Sequence, residues 1–93
     1  MCECVTYLKV DWVHGTRLDL LDSWIANDPA IVTAARVTGG YDYRLGSQHR
    51  DMRSADDWSR SLLSRPQVAE VLTQFCTTLF NRPNFAAALL GTD

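Results

Sequence analysis

Residues 31–45 contain two strand-like runs split by a pair of glycines, Gly39-Gly40. The β-branched run Ile31-Val32-Thr33 leads through Ala34-Ala35-Arg36 into Val37-Thr38-Gly39-Gly40-Tyr41-Asp42-Tyr43, and a short apolar run ending at Leu45 leaves it. Two glycines between such runs predict a tight hairpin turn. Glycine is favoured where φ must be positive, or where another group approaches the backbone closely. The same turn carries Thr38, Tyr41 and Asp42, and so offers hydroxyls, a carboxylate and uncovered backbone N–H groups in one place. It reads in two ways. One is a plain hairpin, with Asp42 accepting local backbone bonds. The other is a loop for a small zwitterion, with N–H groups and a hydroxyl for its carboxylate and Asp42 for its ammonium.

The rest of the chain supplies strands and helices in a fixed order. Residues 3–12 alternate, with Cys4, Thr6, Leu8, Val10 and Trp12 on one face, and predict a strand. Val13-His14-Gly15 reads as a turn. Thr16, with Asp19 three residues on, reads as the start of a helix whose apolar stripe is Leu18, Leu20, Leu21, Trp24 and Ile25. Pro29 ends that helix at Asp28. Residues 30–38 and 41–48 are the second and third strands, with Gly46-Ser47 marking a bulge or opening. Ser54 with Asp57 reads as the start of a second helix that buries Ala55, Trp58 and Leu62, with Asp56-Asp57 beside its N-terminus. Residues 67–80 read as a fourth strand, and 81–93 as a short helix or a tail. The order is strand, helix, strand, strand, helix, strand. That is the α+β, ferredoxin-like βαββαβ pattern: a four-stranded antiparallel sheet with two helices on one face. The other face holds too many apolar residues to meet water, so a second protomer is expected to cover it, giving a dimeric α+β barrel.

Ninety-three residues predict one domain with a modest core. Net charge is −2, and the basic residues, eight Arg and one Lys, are scattered. That is not the basic footprint of a nucleic-acid-binding domain. No apolar run is long enough to span a membrane, and Met1-Cys2-Glu3-Cys4 does not resemble a signal peptide. The three cysteines lack zinc-ligand spacing and read as reduced thiols of a cytoplasmic protein; no metal or cofactor is expected. His14 and His49 fall in predicted loops as solvated side chains. The three tryptophans, 12, 24 and 58, read as core packing.

Val37-Thr38-Gly39-Gly40-Tyr41-Asp42-Tyr43, preceded by Asp28-Pro29-Ala30-Ile31-Val32, resembles the core motif of the Lrp/AsnC family's effector-binding domain, also called RAM. Leu8-Lys9-Val10-Asp11 resembles the family's first strand, Asp51-Met52 with Trp58 its second helix, and Val68–Phe75 its last strand. The resemblance covers residues 3–80 and makes 1–80 a ligand-binding domain. It implies dimers that assemble further into octamers or decamers, with a small effector, usually an amino acid, between protomers. By carry-over the site is Thr38, Gly39, Gly40, Tyr41 and Asp42, with no catalytic residues. The chain carries no residues for the family's helix-turn-helix, so a stand-alone module or a fragment is expected, with no DNA binding of its own. Such a module could co-assemble with a full-length regulator. Arg44-Leu45-Gly46-Ser47 departs from the family's usual aliphatic third strand. The alternative is a small cofactor-free dimeric α+β-barrel enzyme, monooxygenase- or isomerase-like, for which His49, Asp51 and Tyr43 are the available groups.

Overall fold

The computed structural model describes residues 1–14, 17–77 and 79, with the side chain of His14 outside the description. In chain order the elements are strand β1 (Cys2–Val10), a 3-10 turn (Trp12–His14), helix α1 (Leu18–Asn27), strands β2 (Ile31–Arg36) and β3 (Tyr43–His49), helix α2 (Met52–Leu62) and strand β4 (Val68–Cys76). The strands form one sheet in the order β2-β3-β1-β4, and its pairings are antiparallel. This is the ferredoxin-like arrangement that the sequence pattern predicts.

Alternation along the strands decides which side chains are buried. Cys4, Thr6, Leu8 and Val10 of β1 and Tyr43, Leu45, Ser47 and His49 of β3 point to one side and are buried. Leu21 and Ile25 of α1, Leu62 of α2 and Val68 of β4 complete that core, with Leu18, Trp24, Trp58 and Val71 packed around it. Both helices therefore cover the same face, and each fully buried leucine contributes roughly 1.5–3 kcal/mol of transfer free energy. Polar groups inside are paired: Thr73 Oγ1 lies 3.2 Å from Thr6 Oγ1 and 2.5 Å from Ser59 Oγ, which links β1 and β4 to α2.

Several local expectations are corrected. β1 ends at Val10, and Trp12 is 55% exposed rather than part of the core. Asp11 causes the exit: its Oδ1 accepts the Val13 N–H at 3.1 Å, and its own N–H goes to Gln67 O at 2.9 Å. The residue flanking α1 is Arg17, which makes no side-chain cap; the expected cap at Thr16 lies outside the described residues. Leu20 faces outward at the edge of the stripe. Asp28 does end α1 before Pro29, and its carboxylate then accepts from Ala30 N and from Trp58 Nε1, each at 2.9 Å. α2 starts three residues earlier than expected, at Met52. Its cap is Asp51, whose Oδ1 accepts the Ser54 N–H at 2.8 Å. Asp56 thus sits beyond the first turn and pairs with Arg60 instead. β4 stops at Cys76, and the expectation for residues 81–93 lies outside the described residues.

The opposite face of the sheet carries Val5, Tyr7, Arg44, Gln48, Leu72 and Gln74 in alternation with the buried set. It is more polar than the sequence pattern suggested, and no described helix lies on it. Opposite Gly46 the β2–β3 register slips between Ile31 and Thr33, so the bulge expected at Gly46-Ser47 is present on its partner strand.

The cap assignment is testable. Asp51→Ala should destabilise the fold by about 1 kcal/mol in urea unfolding. Ser54→Ala, which keeps the donating amide, should change stability far less. Equal losses would return the cap to Ser54.

Candidate ligand loop and the open sheet face

The loop between β2 and β3 spans residues 37–42, longer than the tight turn that the glycine pair suggested. Val37 N donates to Asp42 O at 2.9 Å and closes its base. Asp42 then fastens the loop to β1. Its N–H donates to Leu8 O at 2.8 Å, and its Oδ2 accepts the Val10 N–H at 2.8 Å. One carboxylate oxygen of Asp42 therefore has a backbone partner, and the side chain is half-buried. Gly39 takes φ +103°, a conformation that disfavours side chains. Gly40 does not, and a Cβ there would meet open space, so only the first glycine is demanded by backbone geometry.

Thr38, Gly39 and Gly40 are exposed, and Tyr41 is half-buried. Among the described residues the N–H groups of Thr38, Gly39, Gly40 and Tyr41 have no hydrogen-bond partner. Tyr41 turns back over the sheet, its ring centroid 5.7 Å from that of Tyr7 with the planes at 47°. Tyr7 in turn pairs with Arg44 across β1 and β3. The five expected site residues thus stand together on one loop, and Tyr41 joins that loop to the open face. Tyr7 and Arg44 were not singled out from the sequence as members of a site. Their alternation with buried residues placed them on the open face, but their neighbourhood with the loop is a product of strand register.

Tyr43 points the other way. Its hydroxyl donates to Asp22 Oδ1 at 2.6 Å, and Arg36 pairs with the same carboxylate. The Tyr43 hydroxyl and then Arg36 hold Asp22 below the usual carboxylate range, while burial and Asp22 push Tyr43 up to about 12. His49 is the clearest departure from expectation. It ends β3 rather than lying in a loop, and it is only 8% exposed. Its Nε2 lies 2.9 Å from Ser47 Oγ, and its ring packs 4.9 Å from that of Trp58. Burial pushes its pKa down, against a smaller opposing pull from Asp28. Tyr43 and His49 close opposite ends of β3, and Asp51 is occupied in capping α2. The three groups available for an enzyme reading therefore do not converge. Cys2, Cys4 and Cys76 are free thiols, and burial, then Cys2, pushes Cys4 up to about 11. No group of His, Cys, Asp or Glu side chains among the described residues has the arrangement to hold a metal ion. No helix among the described residues is long and apolar enough to cross a membrane.

Comparison with known proteins places this arrangement in a family. The family model for the Lrp/AsnC ligand binding domain matches residues 4–82. The chain belongs to that family. Among solved structures, a protein from Thermus thermophilus superposes with a TM-score of 0.72 at 24% identity, covering 88% of this chain and 100% of that one. An AsnC family transcriptional regulator from Agrobacterium tumefaciens gives 0.78 at 13% identity, covering 96% of this chain and 59% of that one. A transcriptional regulator from Neisseria meningitidis, solved as a complex with L-Met, gives 0.75 at 15%, covering 91% and 58%. The chain thus spans about three-fifths of those two regulators. No curated protein matches it.

The buried histidine sets a pH dependence. Unfolded histidine titrates near 6.5. A folded pKa below that value means that the unfolded chain takes up the proton first, so stability falls as pH drops through about 6.5. The wild type should therefore lose Tm as pH falls from about 7.5 to about 5.5. A His49→Gln variant should show a flatter profile from a lower starting point. An unchanged slope would show that His49 is not the titrating group.

Proposed function

We propose that this chain is a non-catalytic module that senses a small molecule, an amino acid being the best fit, through loop 38–42. The observation that carries the reading is the loop itself: four consecutive amides with no hydrogen-bond partner among the described residues, beside the Thr38 and Tyr41 hydroxyls and with a positive-φ glycine among them. Such a row of N–H groups is a receptor for a carboxylate. Asp42 would meet an ammonium with the part of its carboxylate not engaged by Val10. Membership of the Lrp/AsnC ligand-binding family supports the same reading, as does the L-Met complex of the Neisseria regulator.

The site is half a site on one protomer, since the loop is exposed and open on its outer side. A second copy would supply the rest. It would also cover the open sheet face, where Val5, Tyr7, Tyr41 and Leu72 form an apolar band. Dimers of this kind would assemble further, into octamers or decamers, and could join a full-length regulator. Effector binding would then act by favouring one assembly over another, which is a coupling between two sites through a shared equilibrium. DNA contact would belong to the partner regulator.

A thermal-shift panel of the twenty amino acids tests this. A ligand bound only by the folded state at a hundred times its Kd stabilises by about 2.7 kcal/mol, roughly 10–20 °C for a domain of this size. One or a few amino acids should give that shift. Gly39→Val should abolish it while the unliganded protein stays folded, because the exposed loop contributes little to the core. Twenty flat responses from a folded wild type would refute the amino-acid reading. Asp42→Asn, which keeps an oxygen for the Val10 amide, should weaken binding without the loss of stability that Asp42→Ala brings.

A further inference from the structure

Where β2 begins and β3 ends, a cavity of about 420 Å³ opens at the edge of the sheet. One side is apolar and is formed by Pro29, Ala30 and Val32, with Met1 beside them. The other side is the end of β3, with Gln48, His49 and the following Arg50. The Gln48 N–H donates to Ala30 O at 2.9 Å and ties the two sides together. Among the described residues no carboxylate lines this cavity.

His49 is only 8% exposed, yet one of its ring nitrogens has no partner. Nε2 lies 2.9 Å from Ser47 Oγ, and Nδ1 makes no hydrogen bond among the described residues. No side-chain nitrogen or oxygen there is both buried and unpartnered, so Nδ1 reaches open space, and the cavity that His49 lines is this one. Ser47 decides which nitrogen carries the proton. Its hydroxyl is buried with Nε2 as its partner, and a buried hydroxyl proton needs an acceptor. Ser47 therefore donates to Nε2, and the hydrogen-bond network assigns the proton of the neutral ring to Nδ1. The cavity thus receives an N–H donor on a ring fixed by Ser47 and packed 4.9 Å from Trp58.

A fixed donor in an apolar hollow suits an acceptor with an alkyl body. A carboxylate is the strongest such acceptor, and it also favours the charged imidazole. Ser47 can turn from donor to acceptor, so the ring can take up a second proton without losing that bond. The charged groups around the ring are already engaged. Asp28 accepts from Ala30 N and Trp58 Nε1, and Arg50 is exposed and pairs with Asp51 at 3.6 Å. Cys2 is the residue opposite His49 on β1. An ammonium would meet no carboxylate in this lining, which separates the ligand from an amino acid. The volume has room for on the order of a dozen water-sized groups, enough for a four- to six-carbon acid.

We infer that the cavity between the start of β2 and the end of β3 binds a small aliphatic carboxylic acid, its carboxylate on the Nδ1–H of His49 and its alkyl group against Pro29, Ala30 and Val32. This site stands at the opposite end of β3 from loop 38–42, and it does not rest on the amino-acid reading of that loop.

The test is calorimetric titration with 3-methylbutanoate and with its neutral counterpart 3-methylbutanamide, joined to long-range proton–nitrogen spectra of the histidine rings. Three proteins are compared: wild type, Gly39→Val and the double variant Ser47→Ala/His49→Phe. The double variant replaces both members of a buried hydrogen bond by apolar groups and keeps a ring against Trp58, so it should stay folded. The acid should bind wild type and Gly39→Val alike, and at least about tenfold more tightly than the amide. Its affinity should rise from about pH 7.5 to about pH 6, a range in which it stays ionised, while that of the amide stays flat. The double variant should lose the acid. In wild type the spectra should show a protonated Nδ1 and a bare Nε2 at pH 7.5, with the Nδ1 signal of His49 moving as acid is added. The inference is overturned if wild type shows no heat with the acid up to about 10 mM, tenfold weaker than a millimolar site. It is also overturned if acid and amide bind equally, or if the folded double variant binds the acid as wild type does. Acid binding that leaves the His49 Nδ1 signal unmoved would overturn it as well, whether or not the double variant folds. Loss of acid binding in Gly39→Val would move the acid to the loop, sinking the cavity site while leaving the loop reading standing.

Discussion

Two helices seal one face of the sheet, nothing among the described residues covers the other, and the rest of the structure follows from that asymmetry. β1 lies in the interior of the sheet, paired on both sides, so its inward residues Cys4, Thr6, Leu8 and Val10 must be packed by helices. Its outward residues Val5 and Tyr7 have no such cover among the described residues. The loop that carries the candidate site joins β2 to β3 and is fastened to that same strand β1. Asp42 takes the amide of Val10 with its side chain and the carbonyl of Leu8 with its own amide, so the shape of the loop depends on where β1 ends.

This geometry gives Asp42 a structural job that competes with the proposed one. A carboxylate that holds a backbone amide is partly satisfied before any ligand arrives, which lowers what it can offer an ammonium. The amides of Thr38–Tyr41 carry no such obligation among the described residues. They, rather than the acid, are the chemically open part of the loop. Tyr41 leaning on Tyr7 then makes the loop and the open face one continuous surface, with Arg44 beside Tyr7.

The order of elements was legible because it is written in local periodicity: Leu21 and Ile25 on α1, Ala55 and Leu62 on α2, alternation in β1 and β3. What was not legible depends on partners distant in sequence. Asp51 and Ser54 each stand three residues before a capping partner, and only the structure shows that the earlier one is used. Trp12 looked like the next inward residue of β1 until the Asx turn at Asp11 ended the strand. His49 looked like a loop residue because Gln48 and Arg50 beside it are polar, but Trp58 and Ser47 enclose its ring. The five loop residues were singled out as candidates through their chemistry and their family resemblance. The grip of Asp42 on Val10 spans 32 positions and leaves no local signature.

The central claim is that the bare face is completed by a second copy of the chain. Sedimentation equilibrium of the isolated protein across about 1–100 µM, the range in which a stable dimer declares itself, tests it without any ligand. The account predicts a dimer of twice the 10.5 kDa chain mass, or a larger assembly in even multiples, and a single Tyr7→Arg substitution that shifts it toward the monomer. A well-folded monomer at the top of that range would contradict it, leaving the open face to water and the loop without its other half.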